Sequence, residues 1–296
     1  MSTGVHLVMA VPGWKLSPLH AQAREMLMMR CLERGVDLSI MPEFSSGIDL
    51  ARNITVAKFL ELPDATHLLF VDSDIAFASD SVFAMLEADL DVCGAIYPKK
   101  VVDYAAVAQA SKNGVPDAEL KYHAGQFVGG AEAGSRRSKT FGKHRFVEAD
   151  KLGTGFMLIK RGALEKFIAY HRTRIEHHSH WEPKGLQHTV FLSELQGPRQ
   201  KARDRLLATV ERYGRHASSI DELVSAASRY NIAIAGPVDA YQTEDYSFTV
   251  RAKEAGIGCW MYLDAEIAHQ GTWVFEGQIG KMVPHKEAGR DGKPTV

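Results

Sequence analysis

The sequence predicts an α/β fold in which helices cover both faces of a mostly parallel sheet. Short apolar strands alternate with helices through the first hundred residues, and this alternation is typical of βαβ units. The strands are continuous apolar runs, which indicates burial on both faces of the sheet. With 296 residues, 45% of them hydrophobic, the chain is long enough for one large α/β domain or two small ones. We predict a single domain over residues 1–296.

The elements of the first part follow from where each apolar run stops. Gly and Pro close most of these runs, and they mark the ends of strands and helices. Residues 1–100 therefore predict a nucleotide-binding half. Its strands are expected at 5–11, 36–41, 67–71 and 91–97, and its helices at 18–34, 49–62 and 79–87. Residues 99–147 are Gly-rich and predict strand pairs and a mobile loop.

The second part predicts an inserted helical segment and a C-terminal part that completes the site. A strand is expected at 156–159, directly after Gly153-Thr154-Gly155, where small residues allow backbone to approach a ligand. Residues 169–236 predict an insertion with two amphipathic helices. Residues 237–296 then predict a helix at 244–255, a strand at 258–263 and, after that strand, the segment 267–273 that carries His269.

Composition excludes several classes of protein. No apolar run approaches the ~18 residues that cross a bilayer, and the N-terminus lacks the pattern of a signal peptide. The three cysteines are far apart in apolar surroundings, which predicts buried free thiols. These features together predict a cytoplasmic protein.

The middle of the chain is basic although the net charge is −1. Residues 136–216 contain 18 Lys or Arg and 8 Asp or Glu. Such a segment is either a solvated helical insertion or a surface for an anionic partner, including nucleic acid.

Asp72-Ser73-Asp74 is the most informative motif, because it follows the apolar run at 67–71 directly. The carboxyl ends of the strands are where open α/β sheets bind their ligands. Two aspartates one residue apart on a turn can reach one divalent cation, which in turn neutralises a diphosphate.

Two later motifs extend this site. Glu244 and Asp245 open a helix, where acidic side chains also stabilise the helix dipole. His269 follows a strand, and its imidazole is a candidate nitrogen ligand for the ion held by Asp72 and Asp74.

This order of motifs resembles that of metal-dependent glycosyltransferases with the GT-A fold, especially the large family-two-like group. The resemblance covers most of the chain except residues 169–236. It implies that Asp72 and Asp74 contact a nucleotide-sugar and hold Mn²⁺ or Mg²⁺, and that His269 is the third protein ligand. It further implies that Asp245, with Glu244 beside it, is the base that deprotonates the acceptor hydroxyl.

The donor contacts expected from this resemblance come from separate elements. Arg52 lies at a helix start that approaches the nucleotide, and Pro12 and Gly155 lie at strand ends. Lys99, in the pair Lys99-Lys100, adds positive charge near the diphosphate or the acceptor, unless the pair is only a solvated surface. No Gln-x-x-Arg-Trp follows downstream, so a single transfer fits better than processive synthesis.

Two other classes stay open. A sugar nucleotidyltransferase has a related architecture but would be expected to carry an N-terminal Gly-rich phosphate loop, which Pro12-Gly13-Trp14-Lys15 does not supply. A non-catalytic module that binds a nucleotide-sugar or a glycan would keep the fold without the reaction. The acceptor, whether a hydroxyl of a glycan, a protein or a modified DNA base, is not fixed by the sequence.

Overall fold

A computed structural model describes residues 4–13, 15–45, 47–130, 137–171, 175–177, 185–196, 198–213, 224–225, 227–228, 240–272 and 274–277. The strands are β1 (His6–Pro12), β2 (Asp37–Glu43), β3 (His67–Val71), β4 (Ile75–Phe77), β5 (Val92–Ala95), β6 (Tyr97–Val102), β7 (Gly125–Val128), β8 (Ser138–Phe141), β9 (His144–Glu148), β10 (Phe156–Lys160), β11 (Ile175–His177), β12 (Gly185–Gln187), β13 (Glu194–Gln196), β14 (Ala240–Gln242), β15 (Cys259–Tyr262), β16 (Ile267–Gln270) and β17 (Val274–Gly277). The helices are α1 (Pro18–Arg34), α2 (Ile48–Leu60), α3 (Ser79–Ala88), α4 (Tyr104–Lys112), α5 (Asp117–Leu120), α6 (Arg161–His171), α7 (Pro198–Tyr213) and α8 (Glu244–Glu254), with a 3-10 turn at Lys121–His123.

The chain forms two compact units. The first contains Met1–Val190 and Thr249–Val296, and the second contains Phe191–Phe248. In the second unit β13 pairs with β14, and the rings of Phe191 and Phe248 lie 4.8 Å apart, so its two ends meet. The predicted single domain with an insertion at 169–236 stays a prediction.

The central sheet of the first unit has the strand order β2-β1-β3-β10-β5-β15-β9-β8. Among the described residues, six of these eight strands run in one direction, and β10 and β9 run the opposite way. The sheet is therefore mixed, although most of its strands share one direction as predicted. The strand predicted at 156–159 is the antiparallel β10, because the chain reaches Gly155 at the end where β3 leaves the sheet, and the Gly155 carbonyl accepts from the Asp72 amide at 3.0 Å.

Both faces of the sheet are covered, as the continuous apolar strands predict. In β1 consecutive residues from Leu7 to Val11 are all buried, although alternate side chains point to opposite faces. One face packs in a common core with α1 and α3. On α2, Phe59 lies under the guanidinium of Arg161 from α6 at 4.7 Å.

Capping residues set the ends of α1 where the sequence predicts them. The Ser17 hydroxyl accepts a hydrogen bond from the amide of His20 at 3.1 Å, and Gly35 ends the helix with φ 65°. A left-handed conformation of this kind favours glycine over other residues. The Ser17 amide donates to the Ser73 carbonyl at 2.9 Å, which fixes the start of α1 to the acidic turn.

Several elements differ from the prediction, among them α4, β6 and β4. Helix α4 lies inside 99–147, a segment predicted to hold only strand pairs and a loop. Asp103 caps α4 by accepting from the Ala106 amide at 2.9 Å, and its alanines favour a helix without an apolar stripe. The strand predicted at 91–97 ends earlier, as β5 at Ala95, and a separate strand, β6, begins at Tyr97 in another sheet. β6 contains Pro98 beside an irregularity in its pairing with β7. The short strand β4 was not predicted at all.

The second unit contains one of the two predicted amphipathic helices within the described residues. This helix is α7, whose Leu207 and Val210 are about half exposed (53% and 47%). The second predicted helix lies largely outside the described residues, as does the center of the predicted mobile loop. No helix in the described part of the chain is long and apolar enough to cross a membrane. The three cysteines are free and buried, as predicted.

Candidate active site

The acidic turn lies between two strands that belong to different sheets. β3 ends at Val71 in the central sheet, and β4 begins at Ile75 in a small sheet of order β17-β16-β4. The carbonyl of Asp72 accepts from the Ile75 amide at 2.9 Å, which closes the turn. Because both ends of the turn are hydrogen-bonded strands, the two carboxylates sit on a fixed backbone.

β4 brings His269 to Asp74. Ile75 pairs with His269 in the antiparallel register of β4 and β16, and the Gln270 amide donates to the Asp74 carbonyl at 2.8 Å. The Nε2 atom of His269 lies 3.2 Å from Oδ1 of Asp74. The structure therefore brings together two of the three predicted metal ligands.

Lys100 forms an ion pair with the other oxygen of the Asp74 carboxylate. Burial alone would raise the pKa of Asp74, but hydrogen bonds from His269 and Lys100 outweigh that effect and lower it to about 2. The carboxylate is thus anionic over the whole physiological range, as a ligand for a cation must be.

The orientation of His269 is set by its second nitrogen. Nδ1 lies 2.9 Å from the Pro98 carbonyl oxygen, and a carbonyl only accepts, so Nδ1 carries a hydrogen. Nε2 donates to Asp74 when the ring carries a second hydrogen, which is the hydrogen bond that lowers the Asp74 pKa. In the neutral ring its lone pair faces the carboxylate, and a cation between the two atoms would take the place of that hydrogen. These two ligand atoms fit a divalent ion, since metal-binding histidines commonly donate their other N–H to a backbone carbonyl.

The full set of three predicted ligands does not cluster. No group of three or more His, Cys, Asp or Glu side chains in the described ranges is placed to hold a metal ion. The Asp72 carboxylate instead accepts from Nη2 of Arg52 at 3.2 Å, and Arg52 is only 4% exposed. The predicted residues Asp72 and Arg52 are thus in contact with each other, and Asp74 and His269 form a separate pair.

Lys100 is the member of the pair Lys99-Lys100 that contacts Asp74, and the predicted donor contact of Lys99 stays a prediction. Consecutive side chains on a strand point to opposite faces, so two adjacent lysines do not share one partner. Both lysines are exposed, and Lys100 is the one that contacts Asp74. The sequence signal was the Lys-Lys pair itself, and the irregular pairing of β6 with β7 decides which of the two lysines faces Asp74.

Pro12 and Gly155 are both next to the turn, each for a packing reason. Pro12 ends β1, and the following Gly13 has φ 136° and lies so close to Ser73 that an added Cβ would be 2.7 Å from its Oγ. A Cβ on Gly155 would lie 2.6 Å from the ring of Tyr97. The space expected for a ligand beside Gly155 is therefore filled by Tyr97, and the donor contacts of Pro12 and Gly155 stay predictions.

Glu244 and Asp245 open α8, as predicted. The Asp245 carboxylate accepts from the Tyr246 amide at 2.8 Å and from the Thr243 hydroxyl. Both acidic residues belong to the second compact unit. Their assignment as catalytic base and neighbour stays a prediction.

Many positive charges of the basic segment 136–216 are used by the fold. Arg137 forms a two-point ion pair with Glu148, at 2.7 and 3.0 Å. Arg145 is paired with Asp264, and Arg161 donates to the carbonyls of Phe59, Leu62 and Ala65. Arg136 lies outside the described residues. Of Arg137, Arg145 and Arg161, only Arg145 is paired, within the described part of the chain, with a carboxylate outside the segment.

Comparisons with known proteins give distant similarities. No known protein family matches the chain, and no curated protein matches it. Among solved structures, A197 from STIV is 14% identical with a TM-score of 0.42, over 92% of this chain and 94% of that chain. A glycosyltransferase involved in the glycosylation of the major capsid of PBCV-1 is 10% identical with a TM-score of 0.30, over 54% of this chain and 62% of that chain.

Proposed function

We propose that the chain is a glycosyltransferase that moves a sugar from a nucleotide-sugar, a UDP-sugar being favoured, to an acceptor hydroxyl with the help of Mn²⁺ or Mg²⁺. The observation that carries the proposal is the pairing of Asp74 with His269 at the carboxyl end of β3. There an anionic oxygen and an imidazole nitrogen face each other at 3.2 Å. Such a pair, fixed on two hydrogen-bonded strands, is suited to hold a hard cation beside a diphosphate.

Each residue of the site has a proposed part in the reaction. Asp74 and His269 hold the divalent cation, which supplies positive charge to the leaving diphosphate when bound. Arg52 fixes the carboxylate of Asp72 toward the nucleotide. Lys100 adds a positive charge at the same place, and it stabilises charge that develops on the diphosphate oxygens.

Asp245 is proposed as the general base, with Glu244 as its neighbour. Its carboxylate would take the proton from the acceptor oxygen as that oxygen attacks the sugar, and general bases of this kind contribute ~10²–10⁴-fold. A DNA acceptor bound through the basic segment is the less favoured part of the proposal, because Arg137, Arg145 and Arg161 already have partners.

Titration calorimetry with UDP in the presence of Mn²⁺ or of a chelator tests the proposal. We expect Mn²⁺-dependent UDP binding in the wild type and its loss in Asp74→Asn and His269→Gln. The matched control is Asp64→Asn, an exposed aspartate just before the opposite end of the same strand. The proposal would be contradicted if the affinity for UDP were the same with Mn²⁺ and with the chelator, or if it were unchanged in both site variants.

Reaction products separate this function from its alternatives. We expect incubation with Mn²⁺ and a panel of UDP-, GDP- and TDP-sugars to release a nucleoside diphosphate from one of them. Formation of a nucleotide-sugar from a nucleoside triphosphate and a sugar phosphate would instead identify a nucleotidyltransferase. Binding without any turnover would identify a binding module.

A further inference from the structure

A cavity of about 450 Å³ opens between the β6–β7 pair and β17. Its volume lies in the range typical of small-ligand pockets. Its main walls are formed by Pro98, Val102, Tyr104, Lys121, Phe275 and Glu276.

This cavity adjoins the His269 end of the candidate centre. Pro98 lines the cavity, and its carbonyl accepts the hydrogen bond from His269 Nδ1. Phe275 stands directly opposite His269 in the register of β16 and β17. Directly opposed side chains of an antiparallel pair lie on the same face, so Phe275 lies on the face that carries His269. Asp74, His269, Asp72 and Arg52 are not themselves lining residues, so the cavity adjoins the centre through Pro98 and Phe275.

The lining is apolar and aromatic, with one pair of opposite charges. Tyr104 lines the cavity and is 79% exposed, and Val102 and Phe275 form apolar walls beside it. Lys121 and Glu276 form an ion pair that supplies both donors and acceptors. These two charges cancel, so the cavity offers no net attraction to a polyanion.

A sugar ring matches this lining. Its C–H groups form an apolar face that packs on an aromatic ring, and its hydroxyls both donate and accept hydrogen bonds at the rim. An exposed tyrosine beside charged hydrogen-bonding groups provides both kinds of surface. A nucleotide would instead need positive charge in excess, which this cavity lacks.

We propose that this cavity binds the acceptor as a carbohydrate, with one sugar ring on Tyr104 and its hydroxyls bonded to Lys121 and Glu276. The inference deepens the proposed glycosyltransferase function and rests on it. It assigns the acceptor to the glycan class, and it places the acceptor next to the cation-binding residues Asp74 and His269.

Saturation-transfer NMR tests sugar binding directly, without nucleotide or metal. The probes are the methyl glycosides of glucose, galactose, mannose and N-acetylglucosamine. We expect at least one to bind the wild type and Tyr104→Phe, which keeps the ring. Tyr104→Ala should bind it at least about fivefold more weakly, the scale of one lost aromatic contact. The matched control is Tyr170→Ala on α6, which removes a ring of similar exposure, 59%, away from the cavity.

The outcomes separate this inference from the proposed function. Tyr104→Ala should keep the wild-type affinity for UDP with Mn²⁺, because it is not part of the cation-binding pair. Absence of binding by every glycoside, or equal weakening by Tyr104→Ala and Tyr170→Ala, would overturn the inference while leaving the UDP result intact. A third outcome would assign the cavity to the sugar of the donor and overturn the acceptor assignment. In that outcome Tyr104→Ala binds glycosides as the wild type does, but it no longer binds a UDP-sugar more tightly than UDP.

Discussion

Replacement of Lys100 by methionine should strengthen the binding of Mn²⁺ alone. Lys100 pairs with Asp74, so its positive charge competes with any cation that uses the same carboxylate. The side chains of Lys100 and Asp74 are 38% and 35% exposed, so a dielectric near that of water applies. A single charge roughly 6 Å from a doubly charged ion then costs about 1.4 kcal/mol, which is about tenfold in affinity. Lys100→Met should therefore bind Mn²⁺ up to about tenfold more tightly.

The same substitution should weaken UDP binding at saturating Mn²⁺, because the diphosphate loses a cationic neighbour. Calorimetry at low ionic strength measures both affinities, since salt screens such surface interactions. Lys99→Met is the matched control: it removes an equal charge one position away, from a residue that is exposed in β6. Unchanged or weaker Mn²⁺ binding in Lys100→Met, or equal effects of the two substitutions, would refute the assignment of Lys100 to this site.

Three further predictions concern the base, the pH dependence of stability and the packing behind the turn. Asp245→Asn should lower the rate of sugar transfer at least ~10²-fold while the affinity for UDP is kept. The control Glu254→Gln, at the other end of α8, should change neither quantity. A loss of UDP affinity in Asp245→Asn as large as the loss of transfer would show that Asp245 binds the donor instead. Burial lowers the pKa of His67 to about 4 from 6.5, so the folded state favours the neutral ring. Its contribution to stability, at most about 3 kcal/mol, is complete above pH 6.5 and is lost as the pH falls toward 4. Urea unfolding at pH 4.5 and at pH 7 measures the free energy of unfolding at each pH. The difference between the two values should be smaller in His67→Gln than in the wild type, and an unchanged difference would exclude His67 as its source. Gly155→Ala should destabilise the fold by about 1–3 kcal/mol, because its Cβ would meet a tyrosine ring, whereas Gly162→Ala on α6 meets open space and should stabilise by up to ~1 kcal/mol. Thermal melts would compare the two, and a similar shift for both would contradict the packing argument.

The acidic turn could be located from sequence because its signal is local. The apolar run at 67–71 stops at Asp72, and β3 has these bounds in the structure. The pairing of acidic turn and His269 could be proposed only from the order of motifs. What makes the contact is β4, a three-residue strand that pairs with β16. A strand of that length is too short for any periodic pattern to predict.

The remaining differences also have physical causes. Helix α4 carries alanines rather than an apolar stripe, and only Ala110 on it is buried, so no amphipathic pattern marks it. The choice between Lys99 and Lys100 depends on which face of β6 meets the turn, and the pairing of β6 is irregular there. Gly155 was expected to make room for a ligand, but only the fold shows that the Tyr97 ring occupies that room.

The pairing of β4 with β16 has a consequence for the order in which the protein assembles. Ile75 and His269 are neighbours across two strands but are separated by most of the chain. Contacts between distant parts of a chain form late, because the loop between them must close first. During synthesis Asp74 emerges long before His269, and Lys100 is the first partner that can reach it. We therefore expect the lysine to hold the carboxylate in a partly folded chain, with cation binding becoming available only once β16 docks beside β4.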